Sequence, residues 1–105
     1  LALPQTQINR DATIQRFEFC FELSWKLMLS AAKHKGIDVY GPRDAIRTSA
    51  QLGIIENPEA WFVMLDARNL TTHTYNETIA TEVYEKTKLF PPLIENLLAH
   101  AEHLV

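Results

Sequence analysis

Apolar side chains recur along most of this chain with the three- and four-residue spacing of amphipathic helices. No segment alternates cleanly between apolar and polar residues, as an exposed β-strand would. Predicted helices cover about 9–35, 42–52, 58–69 and 75–90, and a last one carries Leu93, Leu97, Ala101 and Leu104 on one side. The pattern therefore predicts an all-α, up-and-down helical bundle, with residues 1–105 forming a single domain.

Glycine and proline mark most of the predicted helix ends. Gly36 and Gly53 are expected just beyond two C-termini, and Pro42 suits the first turn of the second helix. Asn57-Pro58-Glu59 combines a capping amide, a proline and an acid, and therefore predicts the start of the third.

The start and the end of the fourth helix are predicted from two short motifs. Thr74-x-x-Glu77 fits a capping box at its N-terminus. Pro91-Pro92 is expected to kink or end it.

The first predicted helix is apolar on two sides, with its polar residues on one narrow line. One side carries Ile14, Phe17, Phe21, Trp25 and Met28, and another carries Phe19, Leu23 and Leu27. Such a surface is wider than the stripe that a surface helix needs. The helix is therefore expected to be central in the bundle, or to be shared between the core and a second subunit of a homodimer.

Composition limits the classes of function. At 105 residues the chain is large enough for one core, and its formal charge of −3 gives no general attraction to nucleic acid. The single Cys20 fits a reducing, cytoplasmic location. No apolar run approaches a membrane span, and no secretory signal is expected. Because the chain begins Leu1-Ala2 rather than with Met, we expect that part of the N-terminus is missing.

The densest cluster of chemically useful side chains lies at 68–75, between the third and fourth predicted helices. Arg68 can hold a phosphate with its fixed, forked cation. His73 carries an imidazole, the side chain that most often transfers protons in catalysis. Within one straight helix these two side chains would point well over 100° apart, at about 3.6 residues per turn. A helix break between them is therefore expected to bring both into one cleft, which Asn69, Thr72 and Tyr75 would support.

Less specialised roles are also compatible with these residues. Arg68 can cap a helix end, His73 can bond a loop carbonyl, and Tyr75 can be a packed ring with a hydrogen-bonded hydroxyl. Glu18 and Glu22 fall on the polar line of the first helix, where a solvated stripe is the default and a place in the cleft is the alternative. No set of acids, thiols and imidazoles has ligand spacing, so neither a metal nor another cofactor is expected.

At these residues the sequence resembles a known family. Arg68-x4-His73-x-Tyr75, with the polar Asn69 after the arginine, is similar to the signature of HEPN domains. The surrounding sequence resembles, more narrowly, the nucleotidyltransferase substrate-binding protein family. This resemblance covers about residues 10–98 and rests on Arg16-Phe17-Glu18-Phe19, Phe21-Glu22-Leu23-x-Trp25-Lys26, Pro42-Arg43, Leu52-Gly53 and Arg68-Asn69-Leu70-Thr71-x-His73-Thr74-Tyr75-Asn76.

The resemblance implies a dimeric helical bundle in which the motifs of both subunits face a shared cleft. It also implies a further N-terminal helix before the first predicted one, most of which we expect to be missing from this sequence. It implies a metal-independent ribonuclease of the toxin–antitoxin type, with Arg68 and His73 as catalytic residues. A small partner nucleotidyltransferase would silence it by adding AMP to Tyr75. The alternative within the same family is a subunit without chemistry of its own, which binds a nucleotide or another substrate for that partner.

Overall fold

A computed structural model describes residues 5–101 of the chain. Its elements are α1 (Gln5–His34), α2 (Pro42–Gln51), α3 (Pro58–Asn69), a 3₁₀ helix (Leu70–His73), α4 (Glu77–Thr87) and α5 (Phe90–Ala101). The described part contains no β-strand. The predicted all-α fold is therefore confirmed, while Leu104 of the predicted last helix lies outside the described residues.

The predicted boundaries at glycine and proline are confirmed for the first three helices. Gly36 and Gly53 follow α1 and α2 with φ near 75°, in the left-handed region that glycine adopts without strain. Pro42 is the first residue of α2. The side-chain oxygen of Asn57 accepts a hydrogen bond of 3.2 Å from the backbone N–H of Ala60 and so caps α3.

The prediction that Thr74 caps the fourth helix was wrong. Asn76 is the cap, because its side-chain oxygen accepts from the N–H groups of Thr78 at 2.9 Å and Ile79 at 3.2 Å. The Thr74 hydroxyl instead donates to the carbonyl of Thr71 at 3.1 Å. Since a 3₁₀ helix occupies 70–73, α4 begins later than expected.

The predicted end of α4 also moves. The helix ends at Thr87, whose hydroxyl donates to the Tyr84 carbonyl at 2.6 Å. Pro91 and Pro92 do not break a helix but lie in the first turn of α5, which begins at Phe90. Proline is tolerated there because the first N–H groups of a helix have no acceptor within it.

An aromatic cluster joins three helices at the centre of the bundle. Phe90 of α5 makes edge-to-face contacts with Phe17 of α1 and Trp61 of α3, at centroid distances of 5.1 and 5.6 Å. Phe21 lies between them with no exposed surface. Further buried members of this core are Met28, Ala45, Ile46, Ile54, Ile55, Met64, Leu65, Ala67 and Leu97.

Helix α1 contacts each of the other four α-helices and is central, as expected. Its first predicted apolar side is buried, apart from the half-buried Trp25. The second side is open: Phe19 is 66% exposed and Leu23 is 54% exposed.

An ion pair fixes the start of α4 against α1. The Arg10 guanidinium donates to both carboxylate oxygens of Glu77, at 2.7 and 3.3 Å. This bidentate hydrogen bonding, followed by the charge attraction, holds the pKa of Glu77 below its ordinary value. The segment 70–76 is therefore held at both ends, by α3 and by the attachment of α4 to α1.

Candidate functional site

A cleft of about 460 Å³ opens between α1 and the C-terminal end of α3. Glu18 and Glu22 face it from α1, where two residues four apart share one side of a helix. The opposite wall is the predicted motif segment. The lining residues are Glu18, Glu22, Arg68, Asn69, Thr71 and Thr72.

The Arg68 guanidinium is held from two directions. Its Nη2 donates to Glu22 Oε1, and its Nη1 donates to Asn69 Oδ1 at 3.3 Å. The other carboxylate oxygen of Glu22 accepts from Trp25 Nε1 at 3.0 Å. A half-buried chain of contacts therefore runs from the indole through the carboxylate to the guanidinium.

These contacts leave Arg68 able to bind an anion. A guanidinium has five N–H donors, of which Glu22 and Asn69 engage two, so about three are left for phosphate oxygens. The electrostatics of the cleft are mixed, since Glu18 and Glu22 face the single cation that lines it. An anion in this cleft would therefore meet directed N–H donors rather than a surplus of positive charge.

Helix α3 ends between Arg68 and His73, at Asn69 as predicted, but the chain does not open into a loop there. Helical structure continues as the 3₁₀ helix Leu70–His73, and the break follows His73. Threonine hydroxyls support this turn by bonding carbonyls three residues earlier: Thr71 to Arg68 at 2.7 Å and Thr72 to Asn69 at 3.5 Å. Three-residue bonding of this kind suits a 3₁₀ helix.

As a result, His73 does not line the Arg68 cleft. Rotation of about 100° per residue in an α-helix and about 120° in a 3₁₀ helix puts the two side chains on different sides of the chain axis. His73 is exposed, and its ring meets that of Tyr75 edge to face at a centroid distance of 6.1 Å. The structure thus unites Arg68, Asn69 and Thr72 in one cleft and groups His73 with Tyr75 outside it.

Sequence reasoning gave too little weight to Glu22. It lies on the polar line of α1, and such a line of residues on a helix usually faces solvent. The signal was present in the sequence. Glu22 and Trp25 are three residues apart, which places a carboxylate beside an indole N–H on one helical face. What the sequence could not supply was the partner, since Arg68 lies 46 residues further on.

The family described as nucleotidyltransferase substrate binding protein like matches residues 2–103. The chain belongs to this family. The family resemblance carried by the motif segment and by the aromatic helix before it is therefore confirmed.

Two relatives of this family member extend the comparison. A probable ribonuclease HepT of Haemophilus influenzae is 36% identical over 88 residues, which cover 79% of this chain and 59% of the relative. The chain thus matches about three fifths of that relative's length. A solved structure from Thermus thermophilus superimposes with a TM-score of 0.86 at 33% identity, covering 96% of this chain and 87% of the other.

Two further properties of the family member concern metals and membranes. Within residues 5–101, no three His, Cys, Asp or Glu side chains are grouped so that they could hold a metal ion. None of the helices described there combines the length and the apolar character needed to cross a membrane.

Proposed function

We propose that this protein is an endoribonuclease of the toxin–antitoxin type, in which Arg68 binds the scissile phosphate and His73 transfers protons. The observation that carries the proposal is the anchored guanidinium of Arg68, which keeps donors available in an open cleft five residues before an exposed imidazole. The HepT relative named a probable ribonuclease supports the same activity.

In the proposed reaction the ribose 2′-oxygen attacks the neighbouring phosphorus as its proton passes to His73. The P–O5′ bond breaks, the leaving O5′ takes up a proton from water, and His73 afterwards releases to water the proton that it accepted. Arg68 stabilises the charge that develops on the phosphate oxygens. The products are a 2′,3′-cyclic phosphate and a 5′-hydroxyl, and no metal ion is required because side chains supply both effects.

The separation of His73 from the Arg68 cleft gives a second copy of the chain a role in this proposal. The exposed Phe19 lies about 60° around the α1 axis from Glu22, at about 100° per residue. Pairing through this apolar side would put the interface beside the cleft. We therefore place the active site between two copies, where motif residues of both chains face one RNA strand.

The test is RNA cleavage by His73→Ala, with His100→Ala as the matched loss of an imidazole. His100 pairs with Glu56 at 3.2 Å, away from the motif. Removing the proton-transfer group should lower kcat by roughly 10²–10⁴-fold, whereas His100→Ala should cleave like the wild type. Products are identified by mass spectrometry with and without EDTA. Full activity of His73→Ala, or loss of cleavage with EDTA, would contradict the mechanism.

A second candidate is a non-catalytic subunit that holds a nucleotide for a partner nucleotidyltransferase. The specific observation in its favour is that the Arg68 cleft contains hydrogen-bond donors suited to a phosphate but does not contain the His73 imidazole. The family description supports it as well. In that case the purified protein binds AMP or ATP, Arg68→Ala abolishes the binding, and no RNA is cleaved at any concentration.

A further inference from the structure

The Glu22 carboxylate bridges a rigid indole and the phosphate-binding guanidinium. Oε2 accepts from Trp25 Nε1 at 3.0 Å, and Oε1 accepts from Arg68 Nη2. Trp25 and Glu22 belong to the same helix, so their relative position is set by α1. With both oxygens engaged, the carboxylate has little freedom to rotate.

This bridge determines the direction of the Arg68 side chain. Arginine has several rotatable bonds and a planar fork, so a hydrogen bond to a fixed acceptor restricts the plane of the guanidinium. The contact with Asn69 Oδ1 at 3.3 Å restricts it from the other side. The donors that remain then face the cleft in one orientation.

We infer that Glu22, held by Trp25, is the positioning residue of Arg68 for the phosphate of the substrate. Glu22 does not itself touch the phosphate in this role, because both are anions. The inference rests on the proposed function, since it concerns the step in which Arg68 meets the scissile phosphate. It adds a residue of α1 to a site otherwise formed by the motif segment.

The same contact has a measurable cost, which gives the role a characteristic kinetic effect. A carboxylate beside the guanidinium weakens the attraction of Arg68 for any anion. Glu22→Gln removes that charge and also loses one of the two bridging bonds, since an amide has only one acceptor oxygen. We therefore expect RNA to bind as well or better, so that KM stays equal or falls, while a misdirected guanidinium lowers kcat.

The experiment measures kcat and KM for RNA cleavage by Glu22→Gln, Trp25→Phe and the control Glu85→Gln. The control makes the same chemical change in an exposed ion pair at the C-terminal end of α4, where Glu85 lies 3.1 Å from Lys88. Glu22→Gln should lose on the order of 10–100-fold in kcat, the scale of a small misplacement of a catalytic group. Trp25→Phe keeps the ion pair and should lose less. Glu85→Gln should keep the wild-type kcat, and thermal melting gives the folded fraction of each variant.

Each outcome decides the inference. An unchanged kcat in Glu22→Gln overturns it, and the proposed function survives if Arg68→Ala is inactive. A raised KM with unchanged kcat also overturns it, because Glu22 would then bind substrate directly.

If the wild type cleaves no RNA, the proposed function fails, and the positioning role of Glu22 is tested by following AMP binding with NMR. With both proteins saturated with AMP, the Arg68 guanidinium signals should shift less in Glu22→Gln than in wild type, and equal shifts would refute the positioning role.

Discussion

Tyr75 is 83% exposed, and its ring lies against His73 outside the Arg68 cleft. An accessible phenol beside a residue of the motif is suited to modification by another enzyme. An attached AMP would add an anion and a bulky base next to the imidazole. In the active site proposed between two copies, that phosphate can also pair with Arg68 and exclude the substrate phosphate.

We therefore predict that a small partner nucleotidyltransferase, supplied with ATP and Mg²⁺, adds AMP to Tyr75 and stops RNA cleavage. Intact-mass spectrometry should show one or more AMP additions to the wild type and none to Tyr75→Phe. Tyr40→Phe is the matched control, because Tyr40 is exposed to a similar extent, 87%, but lies far along the chain from the motif. Modification of Tyr75→Phe to the wild-type level would refute the prediction.

At the residue scale, the sequence predicted part of the geometry of the motif. The residue types at 68–75 indicated Arg68, Asn69 and Thr72, and these three share a cleft. The placement of His73 in the same cleft depended on a loop between Arg68 and His73, where the structure has a 3₁₀ helix. The Thr71 and Thr72 hydroxyls bond carbonyls three residues earlier and so support this helical turn. The residue types alone do not predict it, because threonine hydroxyls bond nearby backbone groups in several kinds of turn.

At the element scale, Asn76 and Thr74 offer a direct comparison of two candidate caps for α4. Asn76 accepts two backbone N–H bonds, whereas the Thr74 hydroxyl bonds only a carbonyl. Asn76→Ala should therefore lower the free energy of unfolding by about 1 kcal/mol, the usual cost of losing an N-cap. Thr74→Ala should cost clearly less. Urea titration of both variants measures the difference. A larger loss of unfolding free energy in Thr74→Ala than in Asn76→Ala would show that Thr74 caps α4 after all.

Helix boundaries were predictable wherever one residue type has few alternatives. Gly36 and Gly53 take a left-handed φ, and Asn57 caps before a proline, so the C-terminal ends of α1 and α2 and the start of α3 followed from the sequence. The start of α1 did not: the helix begins at Gln5, before the predicted start at about residue 9. Around α4 the sequence offers two possible starts and two prolines that fit either an end or a beginning. In the structure Phe90 is the first residue of α5 and packs into the central aromatic cluster, a contact that the local sequence does not reveal.

At the scale of the whole molecule, the core was predictable because helical periodicity fixes which side chains face inward. The apolar side of α1 meets Trp61 and Phe90 as expected for a central helix. The second apolar side was the ambiguous one, since periodicity cannot distinguish burial in the same chain from burial against another. In the single chain it stays open, with Phe19 and Leu23 exposed.

This open side extends onto α5. Leu98 is 52% exposed, and a shallow apolar groove runs between α1 and α5. Its lining residues are Cys20, Leu23, Ser24, Leu27, Ile94, Leu97 and Leu98. A contiguous apolar patch of this kind, without a charged residue in its lining, is typical of a protein interface.

We predict that two copies of the chain pair through this patch and bring their motif segments together. Light scattering at micromolar concentration should give twice the 12.0 kDa chain mass for the wild type and one chain mass for Leu23→Lys. Leu89→Lys is the control, because Leu89 is 59% exposed but is not part of the groove. If pairing completes the active site, Leu23→Lys should also lose RNA cleavage although it leaves Arg68 and His73 intact. A monomeric wild type that still cleaves RNA would show that one chain holds a complete site.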